Sequence, residues 1–343
     1  MSRTLKLILM LILLVVGGAG VIALRLRGKD VPPQQIVHVD NQQKNAASGP
    51  ATSSGPAIDP ASIEAAEAAY SEGMKSYDSG EILKARELLS KAYFLEALSI
   101  DKQAKARVLL EQLAQRTIFS REIIAGDPYT FSHTVVRGDN LQALERRYAL
   151  HVPTQLIMDI NKVQRAEDLR QGQQIKMLFG PFHAIVIKSE FVMDLYLERE
   201  GLPRIFVKRM SVGLGRNGST PVGAWHVTLS QPALPPSEGI PGQPAKSGKL
   251  VKARWDPPPN SGVLNPIEYG APDYPLGVKG LWISLEGDDE NTRLMRNYGI
   301  HSTNDPASIG KEGSLGCVRL NDVDIELVFS LLYEKWSTVR TRP

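Results

Sequence analysis

A single cysteine, Cys317, among 343 residues leaves no partner for an intramolecular disulfide and no thiolate set for a structural zinc or iron–sulfur site. Excess charge is lacking too. Forty Lys and Arg against 37 Asp and Glu leave a formal net charge of +3, too little for the basic stripe with which nucleic-acid binders engage phosphates, so nucleic acid is not an expected partner. His38, His133, His151, His183 and His226 are scattered without the i,i+4 spacing of a helical metal site, and no metal is expected. No cofactor is expected either: Gly213-x-Gly215-x-x-Gly218 precedes Pro221 instead of opening a helix, which makes it a turn and not a dinucleotide fingerprint. What is present is ordinary globular material. Hydrophobic residues at 42% and charged residues at 22% argue against wholesale disorder, and the length suggests two or three domains of roughly 100–200 residues.

The first segment is apolar. Leu7 to Leu24 is an uncharged run of eighteen residues between Arg3, Lys6 and Arg25, Arg27, Lys29. At about 1.5 Å per residue it is about 27 Å long, enough to cross a bilayer core of roughly 30 Å. Residues 1–27 are therefore expected to be a membrane anchor. The alternative is a cleaved signal peptide ending near Val21-Ile22-Ala23, and either route exports the rest of the chain. Flanking charges balance and do not set orientation. Residues 28–60, rich in Pro, Gln, Ser, Gly and Ala, read as a solvated linker. Over 61–120 the period becomes helical, with Ile82, Ala85, Leu88, Leu89, Ala92 and Leu95 on one stripe, a break at Asp78-Ser79-Gly80, and a third helix from about Asp101 to Gln115. The pattern resembles a degenerate tetratricopeptide pair. A plain helical spacer and a partner-binding repeat both fit it, and any protein partner is unidentified.

Residues 131–179 read as strand, helix, helix, strand. A short β run ends at Val136, Asp139 is placed to cap a helix through Tyr148, Pro153 suits the first turn of a second helix ending near Asn161, and Gly172 to Met177 supplies a turn and a closing strand. The opening Val135-x-x-Gly138-Asp139-x-Leu141, the Tyr148 and Val152 spacing, Asn161 and the ending Leu169-x-x-Gly172-Gln173-x-Ile175 resemble the LysM module. That resemblance implies binding of N-acetylglucosamine-containing glycans such as peptidoglycan strands.

Residues 181–342 are expected to be mainly β, with alternating runs at His183–Lys188, Phe191–Leu197, Arg204–Val212 and Trp225–Leu229. Eleven of the 23 prolines fall between Gln231 and Pro275, so that stretch is no regular sheet; a functional lid and an ordinary surface insertion are both open. After Cys317, Asp322 is placed to cap a helix with Ile325, Val328, Phe329 and Leu332 on its apolar side, and Ser337–Thr341 suits a final strand.

The chemistry centres on Ser314-Leu315-Gly316-Cys317-Val318-Arg319, with His301 sixteen residues before the cysteine. A thiol attacks as thiolate, and a nearby imidazole that takes its proton makes it competent near neutral pH. The amides of Gly316 and Cys317 are placed to stabilise an oxyanion, and Arg319 to bind a carboxylate or hold the site's geometry. A lone Cys and a lone His are more often core residues than catalysts. The wider pattern resembles the YkuD-type L,D-transpeptidase domain: His301-x-x-x-x-Pro306, Ser314-x-Gly316-Cys317-x-Arg319, Val212-Gly213 before Thr220-Pro221-x-Gly223, and Asn265-Pro266 before Leu281-Trp282-Ile283-Ser284-Leu285.

The resemblance implies that Cys317 is the nucleophile and His301 its base. The thiolate attacks the bond between a meso-diaminopimelate L-centre and terminal D-alanine, releases D-alanine and passes the acyl group to an amine. It implies oxyanion or substrate-positioning roles for Gly316, Arg319, Ser314 and Ser302. Leu315 and Arg319 stand where many members have His and Asn, and Ser302 where many have Gly; these departures bear on oxyanion geometry and acceptor choice. The expected protein is an envelope enzyme, membrane-anchored with an extracytoplasmic catalytic domain, acting on peptidoglycan glycan strands and stem peptides. Its expected architecture is an anchor, a helical segment, a βααβ LysM module and a mainly β catalytic domain. An L,D-carboxypeptidase using the same site and a non-catalytic peptidoglycan-binding scaffold are the alternatives.

Overall fold

The computed structural model describes residues 59–228, 254–257 and 262–343. The expected anchor over 1–27, the expected linker as far as residue 58, and residues 231–253 of the proline-rich stretch lie outside the described residues. Among those described, no helix is long and apolar enough to cross a membrane.

Three helices come first. Asp59 caps α1 (Pro60–Asp78) by accepting the amide of Ala61 at 3.3 Å, and Pro60 brings a backbone angle already suited to a first turn. Gly80, at φ +79°, turns the chain into α2 (Ile82–Phe94), and Ser99 caps α3 (Ile100–Thr117).

A two-stranded unit follows. Strands β1 (Thr130–Thr134) and β2 (Gln174–Leu178) pair antiparallel, from Thr130 opposite Leu178 to Thr134 opposite Gln174, with α4 (Leu141–Tyr148) and α5 (Thr154–Asn161) between them. The cap of α4 is Asn140, which accepts the amide of Ala143 at 2.8 Å, and not the expected Asp139. The Asp139 carboxylate turns inward, accepting the amide of Val136 at 2.9 Å and meeting His133 Nε2 at 2.8 Å. Asn161 joins α5 to β2: its amide donates to the carbonyls of Ile157 and Lys176, and its oxygen accepts the Lys176 amide, each at 2.8 Å. The Lys176 side chain, 1% exposed, donates to the carbonyls of Thr117, Ser120 and Glu122 at 2.6, 3.1 and 2.7 Å, and burial draws its pKa down to about 8.

The last and largest unit is a mixed sheet. Its elements are β3 (Phe182–Ile187), β4 (Val192–Leu197), β5 (Ile205–Ser211), β6 (Leu214–Gly215), β7 (Gly223–Thr228), β8 (Arg254–Trp255), β9 (Ile267–Glu268), β10 (Trp282–Gly287), β11 (Tyr298–Ser302), β12 (Glu312–Ser314), β13 (Val318–Leu320), α6 (Asp322–Leu331) and β14 (Thr338–Arg342). Eight strands lie side by side in the order β13-β11-β10-β7-β14-β3-β4-β5. The β11/β13 and β14/β3 pairs are parallel and the others antiparallel. Immediately after β5, Gly213 bridges Arg319 on β13, with N–H to carbonyl distances of 2.9 and 2.8 Å, which draws the two edges of the sheet together. Of the proline-rich stretch, only the short β8/β9 pair forms a ladder among the described residues. Asn321, one residue before the expected cap, caps α6 by accepting the amides of Val323 and Asp324.

The opening helices are more than a spacer packed on itself. Phe206 of β5 enters the apolar cluster of Leu89, Ala92, Tyr93 and Leu110. Its amide donates to Ser90 Oγ at 3.1 Å, the Arg209 amide donates to Glu111 at 3.2 Å, and the Tyr93 hydroxyl donates to Asp194 at 2.9 Å. An edge strand's unpaired amides invite pairing with other chains, and these helices occupy them.

Candidate active site

Three neighbouring strands assemble the site. Trp282 on β10 lies opposite His301 on β11, and His301 lies opposite Arg319 on β13. Cys317 precedes Val318, the partner of Ile300, so it enters β13 beside the His301 strand and its side chain falls on the same face as those of His301 and Arg319.

Local chemistry fixes the cysteine turn. The Ser314 hydroxyl, 2% exposed as a residue, accepts the Gly316 amide at 3.0 Å and donates to the Cys317 carbonyl at 2.7 Å. Gly316 sits at φ +132°, and a Cβ there would come within 2.6 Å of Tyr298 Cε1 and 3.1 Å of the Ser219 carbonyl. Only glycine fits both the angle and the space. The Gly316 amide, expected to face an oxyanion, is thus taken by Ser314 Oγ. The Cys317 thiol is half-buried and donates to the Asn297 carbonyl across 3.7 Å.

His301 is 5% exposed and held on two sides. Its Nδ1 lies 2.5 Å from the Ser302 carbonyl, a contact a ring nitrogen makes only as donor, so Nδ1 carries a proton. One ring face is parallel to the Trp282 indole, with centroids 5.2 Å apart and planes 12° apart. Ser302 acts here through its carbonyl; its hydroxyl donates to the Leu276 carbonyl. Over this region folds a cover from the proline-rich stretch: Trp255, Ile267, Tyr269, Tyr274 and Leu276 cluster with Trp282, and Cys317 packs against them.

Arg319 is half-buried, and its Nε has no hydrogen-bond partner. Burial holds its pKa below the usual arginine value, against the opposing pull of Asp305 and Cys317. The register puts this cation on the same strand face as Cys317 and His301. Tyr298 has its pKa raised, first by burial and then by Cys317, which keeps its phenol protonated. Composition and spacing gave no reason to select Asn297 or Tyr298, and Trp282 entered only as part of the Leu281–Leu285 motif, with no role attached. Among the described residues no group of three or more His, Cys, Asp or Glu could hold a metal ion. A separate open cavity of about 850 Å³ lies between α5 and β2, lined by Lys162, Gln164, Glu167, Asp168, Arg170 and Gln173.

With this geometry in hand, two family profiles match the chain. Residues 133–177 match the LysM domain and residues 181–340 the L,D-transpeptidase catalytic domain of the YkuD type. The chain thus carries in order a segment similar to the LysM domain and a segment similar to the YkuD-type L,D-transpeptidase catalytic domain. It is 38% identical over 66 residues to YqjB of Bacillus subtilis strain 168, an L,D-transpeptidase by name, covering 19% of this chain and 35% of that protein. It is 43% identical over 54 residues to YkuD of the same strain, covering 16% of this chain and 27% of that one. The matches thus span about a third or less of these relatives. A solved L,D-transpeptidase from Mycobacterium smegmatis aligns at 12% identity over 50% of this chain and 64% of its own, with a TM-score of 0.29.

Proposed function

We propose that the chain is an exported L,D-transpeptidase acting on peptidoglycan stem peptides, with Cys317 as nucleophile and His301 as base. The observation that carries this reading is the register that sets the His301 strand beside Cys317, with the imidazole held by its Nδ1 donating to the Ser302 carbonyl. Nε2 takes the thiol proton and the sulfur attacks the acyl carbonyl at the L-centre. The bond to D-alanine breaks, and His301 returns the proton to the departing nitrogen. An incoming amine then attacks the thioester, loses its proton to Nε2 and frees the thiol. Arg319 binds a carboxylate of the stem, and the cover around Trp255 and Tyr269 limits access of water.

In this reading the LysM domain holds the enzyme on glycan strands, raising the local concentration of stem peptides, with the polar cavity between α5 and β2 as the contact region. The apolar run from Leu7 to Leu24 anchors the chain to the membrane with the catalytic domain outside the cytoplasm. The test is mass analysis of disaccharide-tetrapeptide incubated with the chain and with Cys317→Ala. Cross-linked dimers lacking one D-alanine, formed only by the unaltered chain, are expected. Tripeptide alone would assign a carboxypeptidase, and unchanged substrate together with retention on insoluble peptidoglycan would assign a binding scaffold.

A further inference from the structure

We infer that Trp282 is a positioning residue that orients the His301 imidazole and favours its protonated form; the inference rests on the Cys317–His301 reading above. Four observations meet at this indole. It lies directly opposite His301 in the β10/β11 register, and the two rings are parallel within 12° at 5.2 Å. It occupies space that only a glycine leaves open: a Cβ on Gly299 would fall 2.7 Å from indole Cζ2 and 2.8 Å from Cε2. Its Nε1–H donates to Ser284 Oγ at 2.8 Å, which fixes the ring's rotation. Finally, it is buried at 7% exposure in the cluster with Tyr274 and Leu276 against which Cys317 packs.

A histidine ring needs more than one restraint to stay aimed. The Ser302 carbonyl holds one edge of the imidazole and leaves it free to swing about that bond; a flat indole against its face removes the swing. The electron-rich indole face attracts an imidazolium more strongly than a neutral imidazole. Transfer of the Cys317 proton creates that cation, so the stack favours the thiolate–imidazolium pair over the neutral pair. Other titratable and charged groups also surround His301: Cys317 and Arg319 on β13, Asp305 interacting with Arg319, Tyr298 on its own strand, and Tyr269 and Tyr274 in the cover. Replacement of the indole leaves all of them in place.

The test is an NMR pH titration of the His301 imidazole in the full chain, its signal identified by loss in His301→Gln. Trp282→Leu is expected to lower the midpoint by about one pH unit, and Trp282→Phe, which keeps a ring, by less than half as much. An unchanged midpoint in a folded Trp282→Leu protein would overturn the inference, as would an equal drop in both variants. If Trp282→Leu does not fold, Trp282→Phe decides alone: a lowered midpoint supports the role and an unchanged one removes it. Iodoacetamide alkylation of Cys317 in the unaltered chain separates this from the underlying reading. Alkylation that persists well below the ordinary thiol midpoint of about 8.5 supports the ion pair, whereas ordinary thiol behaviour would remove the pair and the inference with it.

Discussion

Replacing Gly316 by alanine tests whether the cysteine turn is as tightly specified as its geometry implies. The residue sits at φ +132°, where a side chain costs about 1–3 kcal/mol. The new Cβ would also fall 2.6 Å from Tyr298 Cε1 and 3.1 Å from the Ser219 carbonyl, an overpacking that typically costs about 1–3 kcal/mol. The two add to roughly 2–6 kcal/mol if nothing moves. The structure relieves this most readily by shifting Tyr298 and the turn itself, which carries Cys317 out of the position that the proposed attack requires. A displacement on the order of 1 Å costs about a hundredfold in rate. Gly316→Ala is therefore expected to lose about 2–4 kcal/mol in urea unfolding and at least about a hundredfold in D-alanine release from a tetrapeptide. Gly313→Ala, three residues earlier, is the control: its Cβ would meet only Ser308 Cβ at 3.5 Å and Arg319 Nη1 at 3.6 Å, ordinary contacts, and it should change stability by no more than about 1 kcal/mol. Wild-type D-alanine release by Gly316→Ala, or equal effects of the two substitutions, would refute this reasoning.

Ser314→Ala removes a buried hydroxyl that bonds both the Gly316 amide and the Cys317 carbonyl; a loss of about 2 kcal/mol in urea unfolding and slower alkylation of Cys317 are expected. Arg319→Leu should lower kcat/KM for stem peptide about 10- to 100-fold, the weight of a charge-assisted hydrogen bond of about 1.5–3 kcal/mol, and, because Cys317 and Arg319 attract each other, should also slow Cys317 alkylation. Lys176 gives stability a pH dependence of known sign. Its folded pKa of about 8 lies below the ordinary lysine value, so between pH about 8 and about 10.5 the unfolded chain binds more protons and stability should rise with pH. Urea midpoints across that range should show the rise in the unaltered chain, and Lys176→Met should lose it while becoming less stable overall, since three carbonyls lose their donor.

Runs of apolar and β-branched residues between turn signals carried the sequence reading of the strands. The β runs around 183–188, 191–197, 204–212 and 225–229 fall on β3, β4, β5 and β7 to within a residue or two; β7 alternates buried and half-buried residues as a period of two requires, whereas β3 and β4 are buried on nearly every residue and are marked by their apolar, β-branched content. Helix starts were less secure. Asp139 and Asp322 were each placed as caps, and the neighbouring Asn140 and Asn321 hold those positions. Adjacent Asx residues cap equally well, and only the tertiary partners of Asp139, namely His133 and Val136, decide between them. At the site, Cys317 and His301 were legible from the motif; what surrounds them was not. That Ser314 takes the Gly316 amide, that Ser302 contributes its carbonyl, and that an indole lies on the histidine are products of strand register, which no local spacing encodes. The packing of Phe206 into the helices was hidden for the same reason: an amphipathic stripe states that a face is covered, not by what.

The central claim is that the Cys317 sulfur carries the acyl group between donor and acceptor. Acid quenching of the chain seconds after mixing with disaccharide-tetrapeptide, followed by intact-mass and peptide mapping, tests it directly. The account predicts an adduct equal to the donor less D-alanine, located on the peptide that contains Cys317, lost on adding an acceptor amine and absent from Cys317→Ala. D-alanine release with no adduct on that peptide, or release that survives in Cys317→Ala, would contradict it.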